Sequence, residues 1–300
     1  MTDLQKVELD ILKSVIAACD RLNIKYYLVC GSALGAVKYN GFIPWDDDVD
    51  IALTREDYNI FVRCAQDYLP ENLFLQTDDT DLEYFQIFCK VRNSNTTFIE
   101  KTVKNYDINH GVYIDVFPLD GYPEKQREMT ALERRKKLLR LKLLCAYQPQ
   151  KNSKFKTRLF VKVGKILGYA RRKKKYAKAM TAAISQYSTA TSKIWCNHGN
   201  WQGKLEYAPK EQYGDGEWTT FEGMRVRIPA KYDEYLTQKY GNWRADLPLE
   251  QQVGHHYAEV IDSNRSFANY VVKKKRGKIR LKTADELLAL GITAPSGYLG

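Results

Sequence analysis

The segment Asp46-Asp47-Asp48-Val49-Asp50-Ile51 crowds carboxylates at alternate positions. Successive side chains of a strand point to opposite faces. Asp46, Asp48 and Asp50 would then share one face, while Val49 and Ile51 turn toward a core. Carboxylates that close repel, and they stay ionised together only when a cation compensates them. Hard oxygen donors suit Mg2+ or Mn2+, and Mg2+ typically joins a few carboxylates to substrate phosphates. An EF-hand is excluded, because no Gly stands at its sixth position and no Glu at its twelfth. Upstream, Leu28-Val29-Cys30 reads as a short buried strand closed by Gly31, with Ser32 opening a helix over residues 33–37. The free N–H groups of a helix start attract an anion, so Gly31 and Ser32 form a candidate phosphate-holding turn. An acidic, solvated strand end would explain the carboxylates but not that turn.

Three further places carry candidate groups. Val112, Ile114 and Val116 alternate around Asp115 in NHGVYIDVFPLD. A lone Asp in such a strand is costly unless paired or metal-bound, so Asp115 could complete the metal site or act as a base. Asp120, before Gly121, reads as a turn residue. In YFQIFCKVRNSNTTFIE, residues 84–100, a strand would set Lys90 and Arg92 on one face, where they could hold a phosphate or neutralise the Asp cluster. His255-His256 is an isolated pair. Adjacent histidines do not share a helix face, so they suit a phosphate donor or proton shuttle better than a two-His metal site.

The elements that must position these groups follow from periodicity. Residues 4–22 have helical spacing and end at Asn23. Thr54 is a helix N-cap with Glu56 and Asp57 in the first turn, and that helix stops before Pro70. Strands are expected at 73–76, 96–100 and 221–228, a helix at 230–240 stopped by Gly241, and a capped helix at 283–290 with Glu286 closing a capping box.

Composition bounds the rest. The 300 residues are 44% hydrophobic, enough for a sizeable core. No apolar run approaches the ~18 residues of a membrane span. The amino terminus lacks the basic-then-apolar order of a signal peptide, so a cytoplasmic location is expected. Cys19, Cys30, Cys64, Cys89, Cys145 and Cys196 are scattered without a CxxC pair and read as buried thiols. The net charge of +11 is uneven: residues 125–178 hold 20 Lys/Arg against Glu128 and Glu133, a local +18, leaving −7 for the rest. In that segment Phe155, Leu159, Val163, Ile166, Leu167 and Ala170 recur at helical spacing among lysines. Such a basic amphipathic helix suits an anionic membrane surface. Nucleic-acid binding competes but lacks an accompanying motif, and a merely solvated helical hairpin is a third reading.

The chain resembles the LicD family of bacterial phosphocholine transferases, related to the fukutin group, within the nucleotidyltransferase-fold superfamily. The resemblance lies in GSALGAVKYNGFIPWDDDVDI, FCKVRNSNTTF, GVYIDVFPLD and FEGMRVRIPAKYDEYLTQKYGNWRADLP…HH, covering most of residues 20–123 and 218–256. It implies an α/β (α+β) fold: a mixed sheet flanked by helices, with a nucleotidyltransferase-like core at 1–123. The basic segment 124–180 matches no part of the family pattern and reads from its charge and periodicity as a helical insertion, and 181–300 as a part that completes the core and the acceptor side. The resemblance implies Gly31 and Ser32 at the phosphate, Asp48, Asp50 and Asp115 at the metal with Asp46 assisting, and Lys90 and Arg92 as phosphate contacts. The gap from Ser32 to Asp48 is longer than in compact members of the superfamily. The implied reaction moves phosphocholine from CDP-choline, or another alcohol phosphate such as glycerol or ribitol phosphate from its CDP form, to a sugar hydroxyl of a cell-surface glycan: teichoic acid, lipopolysaccharide or a capsule precursor. A choline donor would favour an aromatic box, with Trp45 among its candidates. A lipid-linked acceptor would suit a protein at the inner face of the membrane. An RNA-binding or nucleotide-adding protein using the basic segment is the competing class.

Overall fold

The computed structural model describes residues 1–149, 154–200, 202–254, 258–294 and 298. Helix α1 (Asp3–Leu22) starts at a Thr2–Gln5 capping box and ends at Asn23 in the left-handed region, φ 51°. It buries Leu12, Val15, Ala18 and Cys19 in the main core. Strand β1 (Tyr26–Leu28) leads into α2 (Cys30–Tyr39), then β2 (Asp50–Thr54), which pairs antiparallel with β1.

Two expectations change here. Gly31 and Ser32 lie inside the first turn of α2 rather than before it. The second strand begins at Asp50, so residues 46–49 precede it as irregular chain. The Asp46 N–H donates to the Ile43 carbonyl. The Gln5 amide on α1 donates to the carbonyls of Ile43 and Asp46, holding that backbone in a turn.

Thr54 caps α3 (Arg55–Cys64), its hydroxyl accepting from the Asp57 N–H. Strands β3 (Leu73–Gln76), β4 (Cys89–Asn93), β5 (Thr97–Glu100) and β6 (Val112–Gly121) follow. The strand expected over 84–100 is therefore shorter; Tyr84 instead donates its hydroxyl to the Phe88 carbonyl across a loop. The central sheet runs β1-β2-β6-β4-β3. Only β2 and β6 in this path pair parallel, and their register sets Asp50 opposite Asp115. The antiparallel β4–β6 register sets Lys90 opposite the same Asp115.

The basic segment forms α4 (Gln126–Leu144), α5 (Phe155–Ile166) and α6 (Lys173–Ile184). Leu132, Leu139 and Leu143 of α4 and Met180, Ala183 and Ile184 of α6 join the main core. Beyond them, β7 (Ile194–Asn197) pairs with the end of β6, and β8 (Tyr207–Pro209) with β7, extending the sheet. After the short α7 (Lys210–Tyr213), the stretch expected as one strand at 221–228 is a hairpin of β9 (Glu217–Phe221) and β10 (Met224–Ile228). Its turn, Glu222-Gly223, has both φ positive, 48° and 75°, as a tight hairpin turn requires. That turn docks on the end of α2: the Glu222 N–H donates to the Asn40 carbonyl, and its carboxylate accepts from the Phe42 N–H. Helix α8 (Tyr232–Tyr240) stops at Gly241. Strand β11 (Ala258–Asp262) pairs with β5, β12 (Val271–Lys274) with β13 (Lys278–Leu281), and α9 (Ala284–Leu288) carries the expected Thr283–Glu286 capping box.

Two buried polar groups hold this frame. Asp120 is not a turn residue. It lies within β6, fully buried, and accepts from Arg55 Nε and Nη2 at 2.6 and 2.8 Å. His110 is fully buried with Nε2 3.0 Å from the Tyr106 carbonyl, and burial pushes its imidazole down from 6.5 to about 4. A depressed histidine means the unfolded chain binds more protons between those values. Its contribution is complete above about pH 6.5 and is lost as pH falls toward about 4, amounting to roughly 3 kcal/mol. Urea unfolding at pH 7 and pH 5 is expected to show lower stability at pH 5, with a shallower pH slope in His110→Gln. An identical slope in that variant would remove His110 as the cause.

Candidate active site

Asp50, Asp115 and Lys90 stand side by side on three adjacent strands, all at the same end of the β2–β6 parallel pair. Their side chains, with Asp48, line one cleft of about 550 Å3. Lys90 Nζ lies 2.8 Å from Asp115 Oδ1 and 4.0 Å from Glu100 Oε2, and 3.3 Å from the Tyr113 ring centre. The remaining walls come from Phe88, Phe117, Tyr147 and the α4 residues Lys137, Arg140 and Leu144.

A second cavity, about 440 Å3, adjoins this cleft at the carboxylates. It shares Asp48, Asp50 and Asn200 with the first and adds Gly31, Asp46, Tyr39, Trp45, Tyr240 and Trp243. The rings of Tyr39 and Trp45 meet edge to face at 6.2 Å.

The start of α2 is fitted to the carboxylates. The Ser32 hydroxyl accepts from the Asp50 N–H at 2.8 Å, locking helix to strand; the phosphate role expected of Ser32 would add to this structural one. Space is tight at Gly31: a Cβ there would lie 2.6 Å from Asp46 Oδ2, so a larger residue would displace that carboxylate. Just before it, Cys30 holds φ 54°, a left-handed value that a non-glycine residue adopts at a cost, and its N–H donates to the Tyr235 hydroxyl.

Asp46, Asp47 and Asp48 each bring a carboxylate oxygen within 4.8 Å of the others, the one such metal-competent group among the described residues. Burial, then the neighbouring Asp48 carboxylate, pushes the Asp46 carboxyl up to about 8. This is an all-oxygen donor set whose charges disfavour one another, and it fits a hard divalent cation. The converging group differs from the expected one: Asp47 joins it. Asp50 and Asp115 line the adjoining cleft. Asp47 points away from the others in strand geometry and meets them only because residues 46–49 are not a strand.

The other expected residues divide. Lys90 reaches the cleft. Arg92, on the same strand face, does not: it is fully buried and donates to Gln76 Oε1 and the Gly111 carbonyl at 2.6 and 2.7 Å, with Glu100 at 3.3 Å. It braces β3, β4 and β6. His255 and His256 fall outside the described residues. Gly254, just before them, packs on Asp47, where a Cβ would meet Oδ2 at 2.7 Å. Asn200 and Arg140 were not legible as site residues, for each comes from a distant segment and neither lies in a chemical motif.

Residues 23–138 match the family model described as "LicD/FKTN/FKRP, nucleotidyltransferase domain". Residues 23–138 are a LicD-family nucleotidyltransferase domain. The chain is also 26% identical, over 260 residues, to the lipopolysaccharide cholinephosphotransferase LicD of Haemophilus influenzae, an alignment that covers 85% of this chain and 96% of that protein. An uncharacterized protein of Rickettsia prowazekii is 35% identical over 103 residues, 34% of this chain and 35% of its own length. The LicD-family match contains α2, the Asp46–Asp50 segment, β4 and β6, and so every strand that bears a cleft carboxylate. It ends within α4; Asn200 and the α8 wall of the second cavity lie beyond it.

Proposed function

We propose that this protein is a phosphotransferase that moves phosphocholine from CDP-choline to a hydroxyl of a cell-surface glycan and releases CMP. The observation that carries this reading is the meeting of two cavities at Asp48 and Asp50. Phosphoryl transfer runs roughly in line, with the attacking and leaving oxygens on opposite sides of phosphorus. A site of that kind needs two approaches to one charged centre.

In this reading the donor occupies the aromatic cavity. The start of α2 faces its diphosphate, and Trp45, Tyr39 and Tyr240 suit the choline ammonium by cation–π attraction. The acceptor occupies the cleft beneath α4. Its hydroxyl oxygen forms the new bond to phosphorus as the bond to CMP breaks, and Asp115 takes the hydroxyl proton. Lys90 stands beside Asp115 to balance charge. A divalent cation, Mg2+ or Mn2+, held by Asp46, Asp48 and their neighbours, would neutralise the diphosphate. The chain itself contributes alignment and a preset field, which are the main sources of rate in this chemistry. The similarity to the H. influenzae lipopolysaccharide cholinephosphotransferase supports a glycan acceptor of that general kind. Teichoic acid and capsule precursors offer the same chemistry.

A thermal-shift series with Mg2+ and CDP-choline, CDP-glycerol, CDP-ribitol, CTP or ATP tests the donor without needing an acceptor. At about 100 times the dissociation constant, CDP-choline is expected to add about 2.7 kcal/mol, a rise of about 5 °C, only when Mg2+ is present. A rise with CDP-glycerol or CDP-ribitol alone would keep the mechanism and change the group transferred. No rise with any CDP compound would count against the reading and in favour of RNA as ligand.

The acceptor is proposed to be lipid-linked and reached at an anionic membrane surface. Among the described residues no helix is long and apolar enough to cross a membrane. Helix α5 instead turns apolar side chains outward: Phe155 and Ile166 are each 78% exposed, and Leu159 is 50% exposed. From residue 154 to 175 there are ten Lys/Arg and no acid. Exposed Phe and Leu among lysines suit the headgroup boundary of an anionic bilayer. Flotation with phosphatidylglycerol vesicles is expected to carry the wild-type chain. Phe155→Ser with Ile166→Ser should reduce the bound fraction about tenfold, and phosphatidylcholine vesicles should bind neither. Equal flotation of both proteins would assign the surface elsewhere.

A further inference from the structure

A third cavity, about 150 Å3, lies under α4 beside the acceptor cleft and shares Lys137, Arg140 and Asn200 with it. Its floor is made by Asn197 and His198, at the end of β7, which are 2% and 4% exposed. Each presents a buried nitrogen with no hydrogen-bond partner: Asn197 Nδ2 and His198 Nε2.

The identity of both nitrogens is fixed by their other contacts. Asn197 Oδ1 accepts from the N–H groups of Gly199 and Asn200 at 3.1 and 3.3 Å, so the opposite end of the amide is the NH2 donor. His198 Nδ1 lies 3.3 Å from Cys196 Sγ. Burial holds that thiol protonated and the imidazole neutral. A thiol is a weak acceptor, so the S–H donates to Nδ1 and the ring proton sits on Nε2. Two buried donors therefore line one small space with neither paired to an acceptor, an arrangement that costs free energy until something accepts from them.

The charges around the space point to an anion. Lys136 and Glu133 cancel, joined at 2.8 Å, with the Tyr207 hydroxyl donating to the same carboxylate at 2.6 Å. Lys137 and Arg140, successive turns apart on one side of α4, add two cationic side chains to the wall. The volume takes a tetrahedral anion but not a nucleoside.

We propose that this cavity binds a phosphate-class group, held by the Asn197 and His198 N–H donors and the charges of Lys137 and Arg140. It adjoins the acceptor cleft, so the group would belong to a phosphorylated acceptor or to a phosphate of the donor. That choice rests on the transfer reading given above, whereas the anion site itself does not.

The test is titration of inorganic phosphate into the full chain by calorimetry, with EDTA present so that no metal at the Asp cluster takes part. One phosphate per chain is expected. Asn197→Asp keeps the oxygen that accepts from Gly199 and Asn200 but replaces the donor with a negative charge, and it should weaken binding at least tenfold. Lys137→Ala with Arg140→Ala, at exposed positions of α4, should do the same without unfolding the core. Absence of phosphate binding to the wild type, or equal affinity in all three proteins, would overturn the proposal, whatever the outcome of the donor series. In a transfer assay, phosphate competing with the glycan assigns the group to the acceptor, and phosphate competing with the CDP-alcohol assigns it to the donor.

Discussion

Asp50→Asn combined with Asp48→Asn is expected to lower transfer at least about a thousandfold while leaving the chain folded. The two carboxylates line both large cavities, so in the proposed transfer they would stand where donor and acceptor meet. Removing charge there takes away the field that aligns the diphosphate, an effect of about 3–4 kcal/mol on the barrier for a single preorganised group. The fold should survive, because the framework contact of Asp50 is made by its backbone: its N–H donates to Ser32 whatever the side chain. Loss of like charges beside Asp46 should also relieve the repulsion that raises the Asp46 carboxyl. The measurements are initial rates with CDP-choline and a glycan acceptor, together with a urea midpoint. A double variant as active as wild type would sink the assignment of the metal and of the reaction centre. A variant that is inactive because it is unfolded would show in the midpoint. In that case Lys90→Met, read in the same assay, isolates the charge partner of Asp115, 2.8 Å away.

Asp120→Ala is expected to destabilise the protein by about 3–5 kcal/mol. Arg55 and Asp120 are 7% and 0% exposed and joined by two hydrogen bonds, so losing the carboxylate strands a buried guanidinium. The register explains the pairing. Thr54 of β2 lies opposite Leu119 of β6, so the next residues, the first of α3 and the ninth of β6, fall together. Burial pushes the Asp120 carboxyl up while Arg55 pulls it down, a sign that the pair is costly to keep and costlier to break. Replacing both, Arg55→Met with Asp120→Leu, should recover most of the loss. Urea denaturation of the two variants separates the cases. Equal destabilisation by the single and the double change would mean that the pair does more than neutralise itself.

The parts of the site that were legible are those in which chemistry and local structure share one short stretch. Gly31, Ser32, Asp48 and Asp50 fall within one strand–helix–loop–strand unit, and Asp115 stands out as an acid flanked by alternating Val112, Ile114 and Val116. The helices α1, α3, α8 and α9 were legible because their caps and stops, Asn23, Thr54, Gly241 and the Thr283–Glu286 box, act within a turn. Lys90 and Arg92 show the limit. Alternation puts both on one face, but it cannot say how far along the strand the cleft ends. Two residues separate a cation in the cleft from one sealed among Gln76, Gly111 and Glu100.

Asp47 and Asp120 depart from the local pattern for related reasons. Alternation suggests a strand through residues 46–49, where Gln5 of α1 holds the backbone carbonyls in a turn. Pro-Leu-Asp-Gly reads as a turn, where pairing with β7 continues the strand through Gly121. Both outcomes depend on partners distant in sequence.

The sequence by itself determined the clustering of carboxylates at 46–50, the thiols as groups without disulfides and the basic character of residues 125–178. Each of these is set by residue type and near-neighbour spacing. Only the tertiary structure decided which acids converge, which cation faces the cleft, and that Asn200 lines all three cavities. It also decided that Phe155, Leu159 and Ile166 of α5 face outward while Leu132, Leu139 and Leu143 of α4 and Met180, Ala183 and Ile184 of α6 are buried. Strand register and helix docking fix those facts, and they are properties of contacts between segments that no short window of sequence contains.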